Sequence, residues 1–500
     1  MRNTIKIFYS ALSLLLFWAC YEDKGNYDYS DLGEVTLKIK ASATVMYGDS
    51  LGIVPEETFF RGTTEDQYDW AWEIAPKTTN SVPEYKKIAD TKVLAIKNFR
   101  EDIATYDLRL CAIHRATGVR TMAYCALVVD NGISKAYLLL TKQADGRYDI
   151  DAVSHPEGNV RNNRYSIINA GDLVVDAERL FYVNSSFSYD ERLYLTQKTG
   201  GQSISPIDLS YQSEADSWFF EAPADMHITH VMTDNAARDQ YLICSGGIYY
   251  MNNVNTPLKA SLRCVLNQGE AYQITGVGTM HNSSGLGRYA FYDEVKGRFL
   301  EWKFGYGENY LGQLLVSDTK YFDPQNVNKH FVADISGKED RLWFLFDDGT
   351  DFWLYTFEDG AKVSYNLTFK PYEAPVKLDA DLRDKFSRTT AFCALKTADK
   401  FYFAVDHQIW LYDASTHQVE SEPFYTSPDA DMRFSKIFYR DKSEQELTFA
   451  GNSHGQGYFY RMKIDYYGRP AVPTEEEPEP FKSYDGFGEI RDFVYKYKAY

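Results

Sequence analysis

The sequence predicts an all-β protein in which an N-terminal Ig-like β-sandwich is followed by a β-propeller. Two observations support this fold class. The 500 residues include 40 tyrosines and 31 phenylalanines, and aromatic residues are enriched in strands. Apolar and polar residues alternate in many short segments, and beyond residue 131 similar groups of three strands recur at a spacing of roughly 50 residues, which is typical of one propeller blade.

The N-terminus has the features of a secretory signal and a lipid anchor. Arg2 and Lys6 supply the positive charge at the start of the chain, and residues 5–18 are mostly apolar. This apolar run is too short for a comfortable membrane span. We therefore predict a signal peptide at 1–19, lipidation of Cys20 and a polar tether at 20–34. The alternative is an ordinary signal peptide with an incidental cysteine.

The overall composition restricts the classes of partner. The formal net charge is −18, which argues against nucleic acid because phosphate binding needs clustered Lys and Arg. Aromatic residues make up 16% of the chain. They are expected in a β-rich core, and they are also the residues of a sugar-stacking surface. Composition leaves both interpretations open.

Five cysteines remain after Cys20, and an odd number does not indicate a disulfide scaffold. Cys111 and Cys125 flank a predicted hairpin whose turn contains Ala116-Thr117-Gly118. A register centred on this turn places the two cysteines opposite each other, within disulfide range. The alternative is that they are two small buried residues.

Residues 35–130 are predicted to form the sandwich. Val35-Thr36-Leu37-Lys38 alternates apolar and polar residues, Gly48-Asp49-Ser50 marks a turn, and Tyr68-Asp69-Trp70-Ala71-Trp72 begins a second alternating strand. Short strands separated by turns over about a hundred residues are typical of a small β-sandwich.

Two motifs in this region resemble the PKD-like family of Bacteroidota surface lipoproteins. One is Tyr68-Asp69-Trp70 followed by the segment 105–110, and the other is the opening segment 20–29, Cys-Tyr-Glu-Asp-Lys-Gly-Asn-Tyr-Asp-Tyr. The chain departs from the usual pattern at Ala104, where the family has glycine, and at 112–114. The resemblance implies a PKD-like sandwich on a lipid-anchored protein that faces the cell exterior at the outer membrane, beside nutrient-uptake machinery. It also implies capture of a glycan or glycopeptide without cleavage. We predict no cofactor, and the candidate partners are the membrane, a glycan and an outer-membrane transporter.

Residues 131–500 are predicted to form the propeller. Six internal strand groups are visible, and the ends of the chain supply a seventh. Ala136-Tyr137-Leu138-Leu139-Leu140 lacks an inner strand before it, while the segment 490–495 is a strand without a group. Pairing these two segments closes the ring and removes open sheet edges. We therefore predict seven blades, with six or eight as alternatives.

No catalytic signature occurs in the chain, so no catalytic residue is assigned. There is no Gly-x-Ser-x-Gly elbow, no His-Glu-x-x-His and no Walker loop. His227 and His230 lie in a strand pattern, where positions three apart face opposite sides and do not share a metal. Asp429 and Asp431 are too few ligands for Ca²⁺, which takes 6–8 oxygens, so no metal site is assigned either.

Aromatic residues in polar loops are better candidates for ligand contact than aromatic residues in strands. Trp218 lies in such a loop, and Tyr211, Tyr306 and Tyr310 have similar settings. The sequence thus predicts a non-catalytic binding protein with these four residues as candidate ligand contacts. Two alternatives are a propeller glycoside hydrolase or lyase and a docking protein for an outer-membrane transporter.

Overall fold

The computed structural model describes residues 35–78, 82–169, 174–184, 191–233, 239–252, 262–264, 266, 269–281, 287–303, 310–336, 338, 340–363, 366–440, 445–475 and 478–497. The chain divides into two compact units, Met1–Asp130 and Asn131–Tyr500. The predicted lipid-anchor residue Cys20 and the candidate ligand contact Tyr306 both lie outside the described residues.

The first unit is a small β-sandwich. Its five-stranded sheet has the order β2-β9-β8-β5-β6, with β2 parallel to β9, and the pairs β1–β4 and β3–β7 complete the unit. Burial alternates along the strands, as at Ala123, Cys125, Leu127 and Val129 on β9, so one face of the sheet forms a core with Trp72. The strands are β1 (Val35–Lys38), β2 (Ser42–Met46), β3 (Leu51–Ile53), β4 (Glu56–Phe59), β5 (Tyr68–Pro76), β6 (Lys86–Ala89), β7 (Leu94–Ile96), β8 (Thr105–His114) and β9 (Arg120–Asp130).

The predicted disulfide between Cys111 and Cys125 is wrong, because the β8–β9 hairpin has a different register. Cys111 pairs with Met122, and Cys125 pairs with Leu108. Since positions three apart on a strand face opposite sides, the two thiols lie on opposite faces of the sheet. Both are buried free thiols, and burial raises the pKa of each. The alternative interpretation, two small buried residues, is the correct one.

The second unit contains thirty described strands and two short helices. Its first strands are β10 (Ala136–Lys142), β11 (Tyr148–Ser154), β12 (Val160–Arg161), β13 (Ala177–Asn184), β14 (Glu191–Gln197), β15 (Gly201–Ile204), β16 (Tyr211–Glu214), β17 (Ile228–Thr233), β18 (Asp239–Cys244), β19 (Gly247–Asn252), β20 (Leu262–Arg263), β21 (Ile274–His281), β22 (Gly287–Asp293), β23 (Arg298–Lys303) and β24 (Tyr310–Gln313). Helix α1 (Arg164–Ile168) comes after β12, and a 3-10 turn (Ala215–Trp218) comes after β16.

The remaining strands continue the same pattern to the C-terminus. They are β25 (His330–Ile335), β26 (Arg341–Asp347), β27 (Phe352–Val363), β28 (Asn366–Pro371), β29 (Val376–Lys377), β30 (Thr389–Ala394), β31 (Lys400–Val405), β32 (Gln408–Asp413), β33 (Gln418–Val419), β34 (Tyr425–Thr426), β35 (Arg433–Tyr439), β36 (Glu446–Ser453), β37 (Gln456–Lys463), β38 (Phe481–Phe487) and β39 (Glu489–Lys496). Helix α2 (Ala380–Ser387) precedes β30.

These strands form seven antiparallel sheets, which are the seven predicted blades. Blade 2 is β13–β16, blade 3 is β17–β20 and blade 4 is β21–β24. Blade 5 is β25–β28, with β29 paired to its third strand, and blade 6 is β30–β33, with β34 paired to its third strand. Blade 7 is β35–β38. Blade 1 has the order β39-β10-β11-β12, so the C-terminal strand closes the first blade, as predicted. Strand β39 contacts β13 and β35, which places these first strands innermost in the ring.

Seven apolar clusters hold the ring together, one between each pair of neighbouring blades. The cluster between blades 7 and 1 joins Phe459 of β37 to Tyr137 of β10 and Phe493 of β39. Because the blades pack both faces against their neighbours, second strands such as β26 and β31 are runs of buried apolar residues rather than strict alternations. The ring therefore positions its innermost strands around one axis.

Candidate functional site

A cavity of about 450 Å³ lies where the innermost strands of blades 7, 1 and 2 meet. Its lining comes from the second halves of β13, β35 and β39 and from the residues that follow β35 and β39, so it lies towards the carboxyl ends of these strands. A pocket of this volume is within the usual range for small-molecule sites. The lining residues are Tyr182, Lys436, Phe438, Arg440, Phe493, Val494, Tyr495 and Tyr497.

The cavity wall is mainly aromatic. The ring of Tyr497 lies 5.4 Å from that of Tyr182 in a perpendicular arrangement, and 6.4 Å from that of Tyr495 in a nearly parallel one. Tyr497 is 54% exposed, whereas Tyr495 is only 7% exposed. Tyr497 is therefore the ring with the most accessible surface, backed by two further aromatic residues. An accessible aromatic face of this kind is a surface on which the apolar face of a ligand can pack.

Two cations complete the lining. The Nζ atom of Lys436 lies 2.5 Å from Asp492 Oδ1 and 2.7 Å from the carbonyl oxygen of Phe493. The guanidinium of Arg440 lies over the Tyr495 ring, 4.1 Å from its centre, and Arg440 Nη1 lies 2.7 Å from His155 Nε2. Arg440 is 8% exposed, so its position is fixed by packing and by these contacts. None of the eight described lining residues is a carboxylate.

A buried ionic network lies behind Arg440 at the seam between blades 7 and 1. Arg461 donates from Nε and Nη2 to the two carboxylate oxygens of Glu446, at 3.1 and 3.0 Å. The Tyr137 hydroxyl donates to Glu446 Oε1 at 2.8 Å. The His155 ring lies next to this group, with Nε2 3.9 Å from Glu446 Oε1. The network links blade 1 with β36 and β37 of blade 7 and supports the cavity wall.

The protonation states of this network depend on burial and charge. Burial lowers the pKa of His155 to about 3, and the neighbouring Arg461 and Arg440 act in the same direction, so the imidazole is neutral at pH 7. Burial alone would raise the pKa of Glu446, but its bonds to Arg461 and Tyr137 hold the pKa below its ordinary value. Burial and the Glu446 charge raise the pKa of Tyr137. The network thus holds one carboxylate, a neutral imidazole and a neutral phenol.

Trp218 is a core residue, and the prediction that it contacts ligand from a polar loop is wrong. It is 1% exposed, packs edge-on against Tyr194 at 5.0 Å, and donates from Nε1 to Ser213 Oγ at 3.2 Å. The polar segment that carries it folds back as the 3-10 turn Ala215–Trp218, which inserts the indole between blades 2 and 3.

Of the other predicted contacts, only Tyr211 has a described side chain, and it does not line the cavity. Tyr211 is 46% exposed and begins β16, the outermost strand of blade 2. Tyr310 begins β24, the outermost strand of blade 4, and its side chain lies outside the described part of the chain. As contacts for some other ligand site, Tyr211, Tyr306 and Tyr310 remain predictions.

Sequence reasoning missed the cavity residues because they belong to strands. Lys436 and Phe438 alternate with Ile437 and Tyr439 on β35, and Arg440 follows this strand directly. Phe493, Val494 and Tyr495 are consecutive on β39, and Tyr497 follows its last residue, Lys496. The available signal was the alternation on β35 next to the predicted closing strand, which the ring closure brings together.

The acidic pairs and histidines elsewhere have local protein partners. Asp149 Oδ1 accepts hydrogen bonds from the backbone N–H groups of Tyr165 and Ser166 at the start of α1. One potential metal-ligand atom from each of Asp429, Asp431 and His454 lies within 4.8 Å of the other two. Asp429 also accepts a hydrogen bond from Ser453 Oγ, and Asp431 forms an ion pair with His454. The absence of a metal site here therefore stays a prediction, because these three atoms are close enough to hold an ion.

His227 and His230 have separate surroundings. His227 lies just before β17 and pairs with Glu178 at 3.2 Å, while the His230 ring lies 6.5 Å from that of Phe181.

Comparison with known proteins supports the N-terminal assignment. The model of the PKD-like family matches residues 20–175, which include the sandwich and the first strands of the second unit. No curated protein matches the chain. No helix among the described residues is long and apolar enough to cross a bilayer.

Several solved structures resemble the chain at low identity. A quinonprotein alcohol dehydrogenase-like protein from Bacteroides thetaiotaomicron has a TM-score of 0.42 and 12% identity, covering 91% of this chain and 93% of that one. The dihydro-heme d1 dehydrogenase NirN has a TM-score of 0.43 and 9% identity, covering 73% and 76%. The WD40 domain of SCAP from fission yeast has a TM-score of 0.37 and 8% identity, covering 62% and 74%. Resemblance at these scores carries no conclusion about function.

Proposed function

We propose that this protein is a lipid-anchored surface lipoprotein whose propeller captures a glycan or glycopeptide for an outer-membrane nutrient-uptake system. The N-terminal signal, Cys20 and the match to the PKD-like family support the anchored surface location. The propeller supplies the binding head.

The aromatic cavity is the observation that carries the binding role. Exposed aromatic residues that are rigidly backed by other rings lose little conformational entropy when a ligand packs on them. Tyr497 is backed in this way by Tyr182 and Tyr495. Lys436 and Arg440 add polar atoms that orient a ligand beside the rings. This combination suits a sugar, which has an apolar face and a polar edge.

The lining favours capture over cleavage. Most glycoside hydrolases place two carboxyl groups on either side of the scissile bond. The eight described lining residues include no Asp or Glu, and the nearby Glu446 has both oxygens bound to Arg461 in a buried position.

The test is a glycan-array screen of the full chain and of two variants, with reducing-sugar release measured on every glycan that binds. Tyr497→Ala removes the accessible ring of the cavity. Tyr124→Ala removes a tyrosine of similar exposure, 55%, in the sandwich and is the matched control. Since stacking on one aromatic ring contributes about 1 kcal/mol, we expect binding to weaken about fivefold or more in Tyr497→Ala and to be unchanged in Tyr124→Ala.

Other outcomes of this screen point to the alternative functions. Release of sugar would indicate an enzyme. If no glycan binds, the capture role is wrong, and recovery of a transporter with the protein from native membranes would then indicate a docking role.

A further inference from the structure

We propose that the captured glycan is an oligosaccharide, and that it extends from the cavity to a second aromatic contact formed by Tyr466 and Tyr467. This inference rests on the proposed binding function and deepens it, because it names the length class of the ligand and a further binding site. It starts from the turn 465–468 between β37 and β38, where the two tyrosines are 57% and 62% exposed.

The two tyrosines occupy the central positions of this turn, which usually hold smaller residues. Gly, Asn, Asp, Pro and Ser are the residues that stabilise tight turns. Single exposed apolar residues are common on protein surfaces, whereas adjoining ones indicate a contact surface. The rings of Tyr466 and Tyr467 lie 5.6 Å apart at 85°. One ring can therefore pack against the face of a sugar while the other borders its edge.

The turn is held in place by its own hydrogen bonds and by blade 6. Asp465 Oδ1 accepts from the backbone N–H groups of Tyr467 and Arg469 at 2.9 and 2.8 Å. Thr397 Oγ1, in the loop between β30 and β31, donates to the carbonyl oxygen of Tyr466 at 2.7 Å. The backbone that carries the two rings is therefore ordered before a ligand arrives, which lowers the entropic cost of binding.

The turn and the cavity lie on the same face of the ring. Strands β35 and β37 run in the same direction, because β36 lies between them and is antiparallel to both. The cavity lies towards the carboxyl end of β35, and the turn follows the carboxyl end of β37. Since neighbouring strands are about 4.8 Å apart, the ends of β35 and β37 are separated by roughly 10 Å. That separation is larger than one sugar ring, so a ligand that reaches both sites contains several sugar units.

One loop of blade 6 connects the two sites. Lys396 Nζ donates to the carbonyl oxygen of Arg440 at 2.8 Å, and the next residue, Thr397, holds Tyr466. The guanidinium of Arg440 in turn stacks on Tyr495 in the cavity wall. The cavity and the exposed tyrosines are thus supported by the same loop, and an extended glycan can lie across it.

The experiment measures affinity against chain length by isothermal titration calorimetry with the full chain. The probes are cello-, xylo-, manno- and chito-oligosaccharides, each as the disaccharide and the hexasaccharide. We expect at least one hexasaccharide to bind about fivefold or more tightly than its disaccharide, because one further aromatic stacking contact contributes about that factor.

A double variant, Tyr466→Ala with Tyr467→Ala, tests whether this advantage comes from the turn. Both side chains are more than half exposed and backbone groups hold the turn, so we expect an unchanged thermal unfolding midpoint. The variant should lose the advantage of the hexasaccharide and keep the affinity for the disaccharide. Phe220→Ala is the matched control, because Phe220 is 67% exposed and lies on the opposite face of the ring, between the last strand of blade 2 and the first strand of blade 3. It should change neither affinity.

The outcomes separate this inference from the proposed function. If Tyr497→Ala weakens the binding of both chain lengths and the double variant weakens neither, saccharide capture is retained and the second contact is wrong. Equal affinity of the wild type for the disaccharide and the hexasaccharide would also overturn the second contact, and so would an equal loss of the advantage in Phe220→Ala. No binding by any saccharide of the panel would overturn both proposals.

Discussion

Glu446 is a buried carboxylate whose main partner is the bidentate guanidinium of Arg461, with Lys463 Nζ 3.8 Å away. Removing the charge with Glu446→Gln leaves Arg461 buried, 4% exposed, without its bidentate partner. Breaking a buried pair in this way costs about 3–5 kcal/mol of the free energy of unfolding. We expect a matching fall in the urea midpoint of the propeller transition. The control is Glu178→Gln, which breaks an exposed pair with His227 and should cost less than about 1 kcal/mol. Equal effects would contradict the role assigned to the network.

His155 should make stability depend on pH. Its pKa falls from an ordinary value of 6.5 to about 3 in the folded protein, so between these values the unfolded chain binds more protons. The contribution of His155 to stability is therefore fully present above pH 6.5 and falls as the pH decreases through this window.

His155→Gln isolates this contribution, because other buried groups titrate as well. Burial raises the pKa of Asp151 to about 6, which acts in the opposite direction. We expect the difference in unfolding free energy between wild type and His155→Gln to shrink as the pH is lowered from 7 to 4. A constant difference would show that His155 is not held neutral in the folded state.

The roles of individual side chains were only partly predictable from the sequence. Trp218 was misassigned because a polar segment was equated with an exposed one, whereas the 3-10 turn buries the indole. Tyr497 was missed because its exposure depends on where β39 ends against β13, a contact between residues more than 300 positions apart. No local pattern encodes such a contact.

Strand β39 is the element on which the ring depends. It pairs with β10 along its length and supplies Phe493, Val494 and Tyr495 to the cavity. Deleting residues 489–500 would expose the edge of β10 and the apolar cluster between blades 7 and 1. We expect the truncated protein to self-associate in size-exclusion chromatography and to be cleaved by protease within 136–161.

Deleting only residues 498–500 is the matched control, and it should leave both properties unchanged. A monomeric, protease-resistant protein lacking β39 would contradict the closure.

The longer elements were predictable because their patterns are strong. The second strands of the blades, such as β26 and β31, are runs of buried apolar and aromatic residues. The unmatched segment 490–495 indicated the closure that β39 makes. Short outer strands such as β12 and β20, each of two residues, carry too little sequence for such a pattern. The β8–β9 register depended on the turn, and a shift of three positions moved Cys111 and Cys125 to opposite faces.

At the scale of the whole molecule, the fold class was predictable from the repetition of strands, whereas the site was not. The ring brings β13, β35 and β39 together, and the chemistry of the cavity is a product of that assembly.

The central claim is that this cavity holds the saccharide. The most direct measurement is a crystal structure of the full chain with the glycan that binds most tightly in the array. We predict a sugar ring stacked on Tyr497, with one of its polar groups within hydrogen-bonding distance of Lys436 or Arg440. A glycan bound elsewhere on the propeller or on the sandwich, with the cavity unchanged, would contradict the account.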